Sequence, residues 1–250
     1  MNSGTWVAFS SEITLVVTAA LNLMFQRKSR PNTLSWLSTF GILSAVIFSL
    51  FLVFSPQENV LLISTAATTQ VLKIFGLFSC WIAVIMTSKS SEIHQEDKSD
   101  VLTILLLTTA SLSIMVSTTS LLVLFLTFEG MGMGIYLLSS FCRNSAESSE
   151  ASLKYFFHAS LASMLMACGM LLLFAKTGSF DTQVVRVELA KIAQSGNSFY
   201  LIVTFTLMVS SLFARMGIFP FQGTLIDTVN GAPTPVSAYI LAAKVVASAA

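Results

Sequence analysis

Glu129 stands in LFLTFEGMGMG, residues 124–134, a lone carboxylate among leucine, phenylalanine, methionine and glycine. An ionisable group inside a membrane span costs at least ~2.5 kcal/mol by insertion scales, so such groups face a bundle interior and mark ion or proton paths. Glu129 lies about ten residues into its apolar segment, ~15 Å deep at 1.5 Å per residue. Lys244 is placed at a similar depth in the last apolar segment. An acid and an amine at one depth have two possible uses. They exchange influence on a proton, because pairing favours both charged forms and protonating the acid frees the lysine to release its own; or they form a fixed ion pair that joins two helices and moves nothing.

Other residues carry weaker versions of the same choice. His158, in KYFFHAS, is a proton relay or a hydrogen-bonded packing residue. Lys154, near the start of the same segment, either snorkels to the interface or takes part in the path, and Lys73 has the same two readings. Glu12, seven residues into the first segment, reads as a headgroup-level acid. Gly130, Gly132 and Gly134 remove side chains beside Glu129 and permit close helix approach.

These residues need apolar helices to hold them. Of 250 residues, 54% are hydrophobic and 10% charged, against about 25% charged in an ordinary soluble domain. The fold class expected is all-α, a polytopic transmembrane helix bundle, because lipid leaves no partner for unpaired backbone. About 20 apolar residues cross a bilayer as helix. By that ruler about eight spans fall near 5–25, 33–55, 68–88, 101–117, 119–141, 152–175, 198–219 and 234–250. The fourth is short and polar, with Thr108, Thr109, Ser111 and Ser113 spread through it. The segment 176–197 is expected to hold a short amphipathic helix with Val184, Val185, Leu189 and Ile192 on one side. The segment 220–235 is bounded by prolines and contains Asn-Gly, so a turn is expected there, with Pro233 and Pro235 at the start of the last helix.

Arg27, Lys28, Arg30, Lys89, Lys98 and Arg143 fall in alternate connections, and Lys176, Arg186 and Lys191 in the others, which places the N-terminus on the positive side. No basic region precedes the first apolar run, which argues against a cleaved signal. The net charge of +1 gives no reason to expect a nucleic-acid partner; the main partner is lipid. Cys80, Cys142 and Cys168 form no CxxC pair, and His94 and His158 have no ligand-like neighbours, so no metal and no cofactor is assigned. Ala250 falls inside the last span, which leads to the expectation of a partial or split protein.

Three stretches, LFLTFEGMGMGIYLLSSF, RNSAESSEASLKYFFHASLAS and FPFQGTLIDTVNGAPTPVSA, together resemble the antiporter-like membrane-arm subunits of respiratory complex I, most closely the subunit 2 family of NADH:ubiquinone oxidoreductase. The SEIT stretch around Glu12 is similar to an acid near the start of that subunit. The resemblance covers most of the chain. It implies no catalysis by the chain alone, but membership of a proton-translocating NADH:ubiquinone reductase, in the mitochondrial inner membrane or alternatively a bacterial plasma membrane. It also implies two inverted five-helix repeats. Residues 1–100 would then be an N-terminal three-helix membrane segment with a matrix loop, and 101–250 the first repeat, about helices 4 to 8. Glu129 matches the family glutamate of the fifth helix, Lys244 the lysine of the eighth, and Lys154 a lysine at the start of the sixth. Asp227, Gly231, Pro233 and Pro235 match the loop between the seventh and eighth helices.

The departures bear on function. Where the family carries a lysine in a broken seventh helix, this chain has Arg215; an arginine does not give up its proton, so the expectation is that Arg215 biases Glu129 as a fixed positive charge while Lys244 passes or receives a proton. Gln222 replaces the family histidine after PF, and the second repeat is absent. The implied partners are other membrane-arm subunits, a separate chain supplying C-terminal helices, and membrane lipids. The alternatives are a structural membrane subunit that no longer conducts and a cation/proton antiporter subunit.

Overall fold

The computed structural model describes residues 9–26, 31–54, 64–141, 146–194 and 198–249. Arg27, Lys28, Arg30, Cys142, Arg143 and Ala250 lie outside them. The described residues form α1 (Ser10–Phe25), α2 (Pro31–Phe54), α3 (Ala67–Lys89), α4 (Lys98–Ser117), α5 (Leu121–Ser139), α6 (Ala146–Thr177), α7 (Thr182–Gln194), α8 (Ser198–Met216), α9 (Gln222–Gly231) and α10 (Thr234–Ala249). No strand occurs among them, so the all-α class holds. Six of these helices are long and apolar enough to cross a membrane, and α1 and α10 are shorter apolar helices; these eight occupy the eight expected spans.

The polar fourth span has a physical reason. In α4, 72% of the span is buried inside the bundle, against 17–39% in the other five long spans. Most of its hydroxyls are therefore buried: Thr103, Thr108 and Thr109 each donate to the carbonyl four residues back, at 2.9, 2.6 and 2.7 Å, while Ser111 is partly exposed and bonds Leu107 O at 3.2 Å. Helices α1, α3 and α5 pack around it. Gly134 of α5 admits Thr108, because a Cβ at that position would collide with the threonine side chain. Gly134→Ala is expected to destabilise the protein by about 1–3 kcal/mol through overpacking, read as a lower unfolding temperature in detergent, because Thr108 is already held by its bond to Ile104.

One connection differs from expectation, and another matches it except in which side chains are buried. Residues 220–235 contain the ten-residue helix α9 rather than only a turn. The Asn230-Gly231 pair ends it, and Pro233 and Pro235 flank Thr234 at the start of α10 as expected. There the exposed carboxylate of Glu92 accepts the Thr234 N–H and hydroxyl, both at 2.7 Å, and so caps the helix from the α3–α4 connection. The amphipathic helix is present as α7, but Val185 is its buried valine while Val184 is 44% exposed. Leu189 is half-buried, and the side chain of Ile192 lies outside the described residues. The backbone just before α7 is tied to the α4–α5 junction, where Leu121 N–H donates to Phe180 O at 2.9 Å.

Helix α8 stops at Met216 through a glycine. Gly217 has φ +69°, a left-handed conformation that costs glycine nothing. The Gly217 N–H bonds Ala214 O at 3.2 Å and the Ile218 N–H bonds Phe213 O at 3.0 Å, the paired bonds of a Schellman end. That motif leaves the Arg215 carbonyl without an intrahelical donor, in a part of the bundle where Arg215 itself is buried.

Candidate functional site

The broken end of α8 gathers the site. The Arg215 guanidinium bonds a carboxylate oxygen of Glu129 on α5 and the hydroxyl of Ser163 on α6. It also donates to Phe128 O at 2.9 Å. Its carbon lies 5.3 Å from the Phe128 ring centroid, so its flat face rests on an aromatic while its edge serves three acceptors. Gly132 leaves space for it: a Cβ there would sit 3.0 Å from Nη1.

Lys244 approaches the same residue from α10. Its ammonium donates to the Arg215 carbonyl at 2.7 Å and lies 5.3 Å from the Tyr155 ring centroid. A cation at a helix C-terminus is favoured by the partial negative charge of the last carbonyls. His158 of α6 supplies a second contact to that end, with Nε2 3.2 Å from Ala214 O. Its ring also lies 5.6 Å from that of Phe221. A cavity of about 10 Å³ lies between Arg215, Lys244, Tyr155 and Met131, at the lower limit of about 10–15 Å³ that holds one water.

Glu129, Arg215, Lys244 and His158 are therefore brought together, but not in the pairing that equal depth suggests. The acid is held by Arg215, and the lysine by a backbone carbonyl. Depth along a helix sets which residues share a level; the direction each side chain faces decides which touch. Lys154 makes its contacts elsewhere: exposed, it pairs with Glu150 at 2.8 Å and with Asp227 of α9 at 3.3 Å. Gly231, Pro233 and Pro235 shape the α9–α10 corner, and Gln222 opens α9.

A second buried ionic group overturns the headgroup-level reading of Glu12 and removes the interfacial one of the two readings of Lys73. Glu12 is 3% and Lys73 1% exposed. The Lys73 ammonium lies 2.5 Å from Glu12 Oε1, which also accepts the Ser113 hydroxyl at 2.7 Å, while Oε2 accepts Ser11 at 2.8 Å. Both residues sit near the starts of their helices, which made them look like headgroup anchors. Helices α1 and α3 run in the same direction, so those two near-terminal positions meet at one level. Opposite charges at matching positions in the first and third spans were the available signal. Ser163 and Tyr155, which complete the first group, carried none.

Residues 118–250 match the family described as "NADH:quinone oxidoreductase/Mrp antiporter, TM". The chain is 28% identical over 226 residues to NADH-quinone oxidoreductase subunit N of Trichlorobacter lovleyi, covering 89% of this chain and 45% of that protein. It thus spans about half the length of the curated relatives it matches. Its fold is similar to a chain of respiratory complex I from Thermus thermophilus with bound aureothin, with TM-score 0.76 at 18% identity, over 95% of this chain and 52% of the other. It is also similar to a chain of the Mrp complex from Dietzia sp., with TM-score 0.78 at 16% identity, over 96% of this chain and 27% of the other. With more than half of its residues inside the family match and a multi-pass helical fold throughout, the chain belongs to the NADH:quinone oxidoreductase/Mrp antiporter family of membrane proteins.

Proposed function

We propose that the chain is an antiporter-like membrane-arm subunit of a proton-pumping NADH:quinone oxidoreductase, of the subunit 2 or subunit N type, and that it supplies part of the proton path. The observation that carries this reading is the contact of Glu129, Arg215 and Lys244 at the broken end of α8. In it Arg215 is a fixed positive charge that does not give up its proton. Glu129 is its fixed counter-charge. Lys244, 8% exposed and joined to no carboxylate in the described residues, is the group whose proton can leave, because its acceptor is a neutral carbonyl that does not require a charged partner. His158 lies beside the same carbonyl end and extends the path toward α6.

The matched relatives are named as subunits N of NADH-quinone oxidoreductases, and this supports the complex over a separate antiporter. They are bacterial, which supports a bacterial plasma membrane over a mitochondrial inner membrane. The remaining membrane-arm subunits, with a chain or segment supplying the helices present in the longer relatives, are the partners of this reading. Arg215 favours one second reading, a subunit that keeps the fold and docks its neighbours without conducting, because an arginine–carboxylate pair is a fixed element.

The assignment to the complex is tested by native electrophoresis of solubilised membranes, with NADH dehydrogenase staining and mass spectrometry of each band. The chain is expected in the active band. Migration with sodium/proton antiport activity and without NADH dehydrogenase would replace the assignment by the antiporter.

A further inference from the structure

We infer that Glu12 and Lys73 form a second proton-exchange site, opening toward the face where α1 and α3 begin. The inference rests on the proposed proton-conducting role and adds to it a location outside the matched residues 118–250.

The argument begins with what each buried ion pair can do. Of the ion pairs in the described residues, two are buried on the cationic side: Glu129–Arg215 and Glu12–Lys73. In the first, the cation keeps its proton at any pH a protein survives. In the second, both partners titrate. Transfer of the ammonium proton to the carboxylate turns the pair into a neutral acid and a neutral amine, with no bond made or broken apart from that N–H and O–H. The contact distance of 2.5 Å allows the transfer without a bridging group. Neutralisation also removes two charges from a place where each is expensive.

Among the described residues, no third charged side chain contacts the pair. Helix α2 has no ionisable side chain along its whole length. On α4 the group facing Glu12 is the Ser113 hydroxyl, while Lys98 and Asp100 lie at the opposite end of that helix, where Asp100 bonds Gln26 at 2.6 Å. On α3 the other ionisable residues are the buried Cys80, whose thiol faces Leu105 O of α4, and Lys89 at the far end. On α10, Val246 reaches the cleft beside Lys73.

A further polar residue lies on the side toward the start of α3. Gln70, one helical turn before Lys73, is fully buried, and neither its amide nitrogen nor its amide oxygen has a partner. A buried primary amide carries donors and acceptors that the protein or water normally satisfies. Its position extends the polar group from Lys73 toward the start of α3. Glu12 is the third residue of α1 and Ser113 the fifth from the end of α4, so the same face of the bundle is one to two turns away along all three helices.

In the inward direction hydroxyls stand among apolar side chains. Lys73, Ser113 and Thr109 line one narrow cleft together with Val246. Thr109 and Tyr239 share a hydrogen bond of 2.9 Å between their hydroxyls, which reaches α10. Val246 is two residues from Lys244 on that helix. The hydroxyls of Ser113, Thr109 and Tyr239 thus reach from the Glu12–Lys73 pair to α10, the helix that carries Lys244 on another face, and each can both accept and donate a proton.

Infrared difference spectroscopy of the full chain in lipid nanodiscs, recorded across the pH range in which its helicity is constant, tests the inference. The wild type is expected to show a protonated-carboxyl band that grows as pH falls, disappears in Glu12→Gln and persists in Glu129→Gln. Where Glu12→Gln alone fails to fold, Glu12→Gln with Lys73→Met removes both charges and is expected to lose the same band. A spectrum with no Glu12-dependent carboxyl band, or a band lost only in Glu129→Gln, overturns the inference. Neither outcome depends on whether the chain migrates with NADH dehydrogenase, so failure here and failure of the complex assignment are separate results.

Discussion

Arg215→Leu is expected to cost about 3–5 kcal/mol and to remove the chain from any assembly it belongs to, because it leaves one partner of a buried ion pair without the other. The Glu129 carboxylate then stands in an apolar helix with no counter-charge, and Phe128 O and Ser163 lose their donor. Arg215→Lys keeps the charge. It replaces a flat fork reaching α5 and α6 by a single ammonium that cannot serve acceptors on both helices from one position. An intermediate loss is therefore expected. The measurement is the amount of chain in native assemblies, with the unfolding temperature of the detergent-solubilised protein for each variant. Equal stability of Arg215→Leu and wild type would mean that the guanidinium is not the centre of this packing.

Lys73→Met is expected to have an effect of the same size, again about 3–5 kcal/mol, although it lies in another part of the bundle. It leaves Glu12 buried with two hydroxyls and no cation. Adding Glu12→Gln to the same chain is expected to recover most of the loss, since a neutral pair needs no charge compensation. The double-mutant cycle measures the coupling, which for contacting residues in one network falls at about 0.5–3 kcal/mol or above. Additive losses would mean that the two residues do not interact and would remove the physical basis of the second exchange site.

The helices were legible because hydropathy and length respond to the same physical quantity, the thickness of apolar solvent. All eight expected spans contain a helix, and the polarity of the fourth finds its explanation in the burial that the structure gives it. Helix α9 was missed because prolines and Asn-Gly mark the two ends of a short helix as readily as they mark a loop. Glu12 reads as interfacial from sequence, and Lys73 stays open between two readings, because hydropathy reports depth and not the side of a helix that faces the bundle. The same limit paired Glu129 with Lys244. Their levels match, but the residue that faces Glu129 is Arg215, whose helix ends inside the bundle at Gly217. A helix end is normally a membrane edge, and this one lies beside buried charges instead. The glycine in the left-handed conformation is the local cause of the exception, and Gly217 with Pro220 beyond it was the sign of a break.

Proton translocation per NADH oxidised, measured in proteoliposomes containing the assembled complex with wild-type chain or Lys244→Met, tests the central claim most directly. The removed ammonium is the group assigned to carry the proton past the fixed Glu129–Arg215 pair, so a lower ratio of protons to NADH is expected in the variant. The wild-type ratio in an assembled Lys244→Met complex would contradict the account and leave this chain a structural subunit.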